Sequence, residues 1–138
     1  MTATLSPGLQ QLLREPSYCQ LATLMPDGSP QLTEVWVATD GQHILINTAE
    51  GRQKVRNVRR DPRVAVNVFD PANAWRIAEI RGRVMEVTTE GADTLIDQLA
   101  TKYLGQERYP FRQPDEIRVT LKIAAEKIHA TGLDTAGS

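Results

Sequence analysis

The chain has 138 residues, 41% hydrophobic and 24% charged, with 16 Lys and Arg against 17 Asp and Glu and a formal net charge of -1. That length suits one domain, residues 1–138, with enough apolar content for a core, and the charge balance, with a pI near 6.1, argues against a nucleic-acid binder. A single cysteine, Cys19, excludes an internal disulfide and a thiolate cluster. With only His43 and His129 beside it, no metal site is expected.

No apolar run approaches the roughly 20 residues of a membrane span. MTATLSPGLQ lacks the basic start and apolar stretch of a signal peptide, so a cytoplasmic protein with no membrane partner is expected.

In chain order, SPGLQQLLRE opens with a Ser able to cap a helix and a Pro suited to its first turn. Leu9, Leu12 and Leu13 share one face, and Pro16 ends the run. YCQLATLM, QLTEVWVATD and HILINT read as three strands. Asp-Gly turns at PDGSP and TDGQ make Tyr18–Thr48 a three-stranded antiparallel meander. RQKVRNVRR is a short helix stopped before Pro62. RVAVNVF is a fourth strand, with Val64, Val66 and Val68 on one face.

DPAN is a turn, and WRIAEIRGRVMEVT is a long fifth strand that Gly82 should bulge or bend. TEGADTLIDQLATKYL is the strongest helix, capped by Thr88 or Thr89, with Leu95, Ile96, Leu99 and Tyr103 on one face. YPFRQPDE is a loop, IRVTLKIAAEKIHAT a closing strand, and GLDTAGS a frayed tail. The expected fold is mainly β with α (α+β): six antiparallel strands in a small barrel, with three flanking helices.

Conventional catalytic motifs are absent: no GxSxG, no HExxH and no Walker loop. Cys19 sits in an apolar strand and reads as a core thiol; His43 and His129 read as surface residues. One segment stands out chemically. Arg52, Lys54, Arg56, Arg59, Arg60 and Arg63 fall within twelve positions.

On a helical wheel Arg52, Arg56, Arg59 and Arg60 cluster on one side, Val55 and Val58 face the core, and Lys54 lies at the edge of the buried stripe. The helix start has unpartnered backbone N–H groups and the positive end of the dipole. Gly51 allows a tight turn, Thr48 offers a hydroxyl and Lys54 a point charge, which together suit one phosphate. The same residues also fit a solvated charged helix with a capping threonine.

The ordered set L-A-T-x-x-x-D-G-x-P (Leu21–Pro30), the strand ending Asn47-Thr48, R-Q-K-x-x-N-x-x-R-D-P-R-V (Arg52–Val64) and R-G-R-V (Arg81–Val84) resembles the pyridoxamine 5'-phosphate oxidase-like superfamily. More narrowly it resembles the actinobacterial branch of coenzyme F-420-dependent reductases. The resemblance spans nearly the whole chain. It implies a six-stranded antiparallel split β-barrel and a homodimer with cofactor sites at the subunit interface. The cofactor would be the deazaflavin coenzyme F-420, or alternatively FMN.

By that resemblance Lys54 is the phosphate-binding lysine, with Asn47, Thr48, Gly51, Arg52 and Gln53 around it. Pro30, Gln31, Leu32 and Thr33 would lie along the cofactor ring, and Trp75, Arg76 and Ile77 would reach it from the partner subunit. The implied reaction passes a hydride to a small organic acceptor such as a quinone, an enone, a nitro-aromatic or biliverdin. A non-enzymatic protein holding F-420 or a tetrapyrrole is the rival reading.

No catalytic residue is assigned; Tyr103 and Tyr109 are the tyrosines weighed as proton donors. Gln53 and Ile77 depart from the FMN-type oxidases, and the chain stops soon after His129, so pyridoxamine phosphate oxidation is not expected. The arginine face suits the polyglutamate tail of F-420.

Overall fold

The computed structural model describes residues 2–133. Ten elements follow in order: α1 (Pro7–Arg14), β1 (Tyr18–Leu24), β2 (Pro30–Val35), β3 (Val37–Thr39), β4 (Ile44–Ala49), α2 (Gln53–Arg60), β5 (Arg63–Asp70), β6 (Asn73–Thr88), α3 (Ala92–Leu104) and β7 (Arg118–Thr131). The seven strands form one curled antiparallel sheet in the order β2-β1-β5-β6-β7-β4-β3.

Local chemistry accounts for most boundaries. Ser6 caps α1 by accepting from the Leu9 N–H, and Pro7 fills the first position. At the β3–β4 turn Asp40 Oδ1 accepts from the Gln42 and His43 amides. Gly82 sits at a register shift in β6, where a Cβ would lie 2.2 Å from the Ala124 carbonyl oxygen. Only glycine lets β6 and β7 approach this closely, which is how the long strand turns its corner.

Three expectations are corrected. QLTEVWVATD is not one strand: it breaks at Trp36, so there are seven strands rather than six. Nor is Tyr18–Thr48 a meander. β2 pairs with β1 and β3 with β4, but β2 and β3 lie at opposite edges of the sheet. The chain therefore steps from one edge to the other across a single residue, and the curled sheet closes on itself there without ladder hydrogen bonds. Also, α3 is capped by neither Thr88 nor Thr89. Gly91 in the left-handed conformation holds its N-cap position, and the Thr88 hydroxyl accepts from the Glu90 amide.

Inward-pointing residues fill the barrel. Leu21, Val66 and Ile80 come from one side, Ile44, Ile46, Leu121 and Ile123 from the other, and α1 plugs the end with Leu9, Leu12 and Leu13. Each such side chain contributes roughly 1.5–3 kcal/mol on burial. The outer face of β2-β1-β5-β6 is uncovered in the single chain; Leu32, 62% exposed, and Trp75, 80% exposed, lie there and at its end. Of the expected frayed tail, Leu133 is buried and the residues from 134 onward lie outside those described.

Candidate functional site

β3 pairs only with Ile44–Ile46, so Asn47–Ala49 of β4 have no neighbouring strand on that side. A cavity of about 370 Å³ opens at this gap. The starts of β1, α2 and β7, the end of β2, α3 and the loop after α3 wall it.

Four expected site residues line one end: Asn47, Thr48, Arg52 and Lys54. Sequence reasoning missed Arg118, which completes it. Arg118 opens β7 opposite Ala49 and is buried. Its Nε donates to Asn47 Oδ1 at 2.9 Å, it pairs with Glu116, and its guanidinium lies 5.0 Å from the centre of the Tyr109 ring. Asn47 in turn donates to the Ala92 carbonyl at 2.7 Å, which ties α3 to the site. An arginine at the head of a strand whose first half is mostly apolar was the available signal.

Lys54 is half-buried and has no ion pair or hydrogen bond among the described residues. Burial first, then the Arg52 and Arg118 charges, push its amine below the usual lysine range. Arg52 is the N-cap of α2 and makes no side-chain cap bond, so the Gln53 and Lys54 amides have no intrahelical acceptor. Thr48 lies buried on β4 rather than capping the helix. Gly51, at φ +87°, makes the preceding turn. The result is two cations with no ion-pair partner among the described residues, a hydroxyl and free amides at one place. This donor set fits a phosphate group.

The other basic residues are exposed, as expected, but they are engaged. Arg59 forks onto Glu50 at 2.6 and 2.7 Å, Arg56 donates to the Gly51 carbonyl and Gln53, Arg60 to the Leu24 carbonyl and Asn57, and Arg63 pairs with Asp61. Asn57, also missed, is 0% exposed. It donates to Thr23 Oγ1 at 3.0 Å and accepts from Gln53 at 2.8 Å, so the start of α2 is bolted to β1.

The remaining expected residues lie elsewhere. Pro30, Gln31, Leu32 and Thr33 belong to β2 but stop short of the part that lines the cavity, Glu34–Val35 with Trp36 beyond. Trp75 is exposed, Arg76 pairs with Glu15 and Asp70, and Ile77 sits on β6 opposite Phe69; none lines the cavity of a single chain.

Of the titratable neighbours, Cys19 is a core thiol pushed up to about 12 by burial. Tyr103 is likewise pushed up to about 12, chiefly by burial, and its hydroxyl already donates to the Ser17 carbonyl at 2.8 Å. Neither is poised for proton transfer near neutral pH.

The sequence model of the family described as pyridoxamine 5'-phosphate oxidase matches residues 5–132. Among solved structures, an F420 reductase is 31% identical over 87% of this chain and 94% of that one, with a TM-score of 0.75. A conserved hypothetical protein, Rv2991 from Mycobacterium tuberculosis, is 23% identical over 94% and 86%, with a TM-score of 0.67. The heme storage protein HutZ from Vibrio cholerae is 14% identical over 95% and 97%, with a TM-score of 0.62. The last two likenesses speak to the fold alone.

Proposed function

The chain belongs to the pyridoxamine 5'-phosphate oxidase-like split-barrel superfamily, and from that premise we propose that it is a coenzyme F-420-dependent reductase that passes a hydride to a small organic acceptor. The observation that carries this reading is the half-buried Lys54 beside Arg52 at the start of α2, two cations with no ion-pair partner among the described residues, in a chain 31% identical to an F420 reductase. A buried cation left unpaired costs folding energy, so its persistence argues for a ligand that pairs it.

The bound deazaflavin supplies the hydride chemistry. The chain's residues do the rest. Lys54, Arg52, Thr48 and the α2 amides hold the cofactor's phosphate. Arg118 and Asn47 fix the wall behind it. The α2–β1 bolt through Asn57 keeps Lys54 aimed. Solvent supplies the proton, since burial makes the Tyr103 hydroxyl and the Cys19 thiol poor acids.

A second copy completes the site in this reading. The uncovered face of β2-β1-β5-β6 carries exposed Tyr18 and Leu32, flanked by Trp75, with charges at its rim, a composition suited to a homodimer interface. Trp75, Arg76 and Ile77 would then approach the partner's cofactor. Because Arg56, Arg59 and Arg60 are already engaged, Arg52 is the arginine of that face left to meet an acidic tail.

The test is a fluorescence titration of the purified protein with F-420 and FMN side by side. F-420 should bind more tightly than FMN and shift its emission on binding. Tighter FMN binding, with a flavin spectrum retained on purification, would move the assignment to an FMN oxidoreductase. Binding of neither sinks the proposal.

A further inference from the structure

An anion stands behind the cationic end of the cavity. Glu116 lies near the end of the loop between α3 and β7, and its carboxylate pairs with Arg118; the two side chains are only 7% and 4% exposed. Glu116 Oε2 also accepts from the Gln113 amide at 2.8 Å. The neighbouring Ile117 carbonyl accepts from the Glu50 amide at 2.9 Å, which seats this end of the loop against the turn before α2. Arg118 itself lines the cavity, and its Nη2 makes no hydrogen bond among the described residues.

Burial by itself raises the Glu116 carboxyl. The Gln113 amide, the Arg118 guanidinium and the charge of Arg52 outweigh it and hold the group below the usual carboxylate range. Glu116 is therefore an anion at neutral pH, and its field reaches Arg52. Arg118 in turn acts on the Lys54 amine. Arg52, Lys54, Arg118 and the Glu116 carboxylate thus share one end of the cavity, and the carboxylate offsets the most deeply buried of the cations.

Taking an anion out of water costs in proportion to the square of its charge, whereas its attraction to fixed cations grows only in proportion to the charge. A site with little net positive charge therefore favours a monoanion, and each added positive charge moves the preference toward a dianion. A phosphodiester is a monoanion, while a phosphomonoester at neutral pH carries close to two negative charges.

We infer that Glu116 is a specificity-determining residue: by offsetting Arg118 it tunes the cationic end to a monoanionic phosphodiester, the form the phosphate takes in F-420, and against the dianionic phosphomonoester of FMN. The inference rests on the reading of this end as a cofactor phosphate site. Glu116 acts through Arg118 and through its field, so its signature is a dependence on ligand charge rather than on ligand shape.

Three flavins that share one ring system isolate charge: riboflavin, which has no phosphate, the methyl phosphodiester of FMN, and FMN itself. Each is titrated into the full chain by flavin fluorescence at neutral pH, with F-420 alongside. In the wild-type protein the methyl ester should bind more tightly than FMN.

Glu116→Gln keeps an oxygen for the Gln113 amide and for Arg118 but removes the charge. It should leave riboflavin within about twofold, tighten the methyl ester about threefold and tighten FMN about tenfold, because repulsion by one carboxylate counts twice against a dianion. A displaced loop would move all three flavins alike; charge repulsion grades them. The variant leaves Arg118 without its counterion and should lower the urea midpoint, so titrations are run well below it. The wild-type comparison needs no variant at all.

Tighter wild-type binding of FMN than of its methyl ester, or equal changes for these two in Glu116→Gln, would overturn the inference. The cofactor reading has its own outcome. If F-420 fails to bind while the flavins follow the grading, that reading fails and the role of Glu116 stands. If F-420 binds but Glu116→Gln moves FMN and its methyl ester equally, the reverse holds.

Discussion

Lys54 and Arg59 lie five positions apart on one eight-residue helix and contribute equally to its charge, yet they are different chemical objects. Arg59 forks onto Glu50 at the surface, while Lys54 is half-buried beside Arg52 and Arg118 with no ion-pair partner among the described residues. The same contrast divides the whole basic segment: Arg56, Arg60 and Arg63 hold carbonyls and side chains of their own chain. Charge counted in a sequence is therefore not charge available to a ligand. Pairing decides, and pairing depends on what the fold brings near.

The strongest way to break this comparison is to remove each charge in turn. Lys54→Ala should weaken F-420 or FMN roughly 10- to 100-fold, the worth of a charge-assisted bond to phosphate. Folding stability should hold or rise, since an uncompensated cation leaves a partly desolvated place. Isothermal or fluorescence titration and urea midpoints read both. A Lys54→Ala protein that bound cofactor as wild type would erase the distinction between the two ends of α2.

Asn57 tests whether the ligand-facing end needs its anchor. Asn57→Leu removes a fully buried amide and leaves the Thr23 hydroxyl only its 3.5 Å contact with Gln31, and should cost about 1–3 kcal/mol in urea unfolding. Cofactor affinity measured well below the unfolding midpoint should fall as well, because Lys54 loses its fixed approach.

A second lysine sharpens the comparison through pH. Lys102 is buried like Lys54 but donates to the Leu13 carbonyl at 2.7 Å and to the Val37 carbonyl, and burial pushes it down to about 8. Its folded value lies below the unfolded one, so the unfolded chain binds more protons between about 8 and 10.5, and stability rises with pH in that window. Cys19 acts oppositely. Held up at about 12 against 9.0 unfolded, it favours the unfolded chain as pH passes about 9.

Urea midpoints should therefore climb from pH 8 toward 9, by at most about 1.4 kcal/mol per pH unit, and flatten above. Lys102→Met should reduce the climb to what the depressed Lys54 amine contributes, and Cys19→Ala should extend it. A climb undiminished in Lys102→Met would show that another group drives it.

The smallest effect belongs to the engaged charges. Arg59→Ala should change stability by less than about 1 kcal/mol, as exposed pairs do, and leave cofactor affinity within twofold. A cofactor loss as large as that of Lys54→Ala would mean that the tail of the ligand reaches across the helix after all.

Much of the molecule was legible from local rules. Ser6 and Pro7 announced α1, Asp40 and Gly41 a turn, and the alternating valines of β5 their inward face. Val55 and Val58 marked the buried side of α2 and set Lys54 apart from its arginines. What stayed hidden has a shared cause. The run from Gln31 to Thr39 keeps its alternation through Trp36 without a phase slip, so periodicity gave no sign of the break. Asn57 looked like one more polar helix residue because its partner, Thr23, is 34 positions away. Arg118 looked like a strand end because Asn47 is 71 positions away.

By itself, then, the amino-acid sequence determined most of the elements, their inward faces and a helix start chemically suited to phosphate, since all of these follow from residues within a few positions of one another. The tertiary structure alone decided which edges the strands of the curled sheet occupy, which arginines are already paired, and that Trp36, Tyr109 and Ser17 wall the same cavity as Lys54. Those facts depend on groups far apart in the chain, and backbone propensity and side-chain periodicity carry no record of which distant residues will meet.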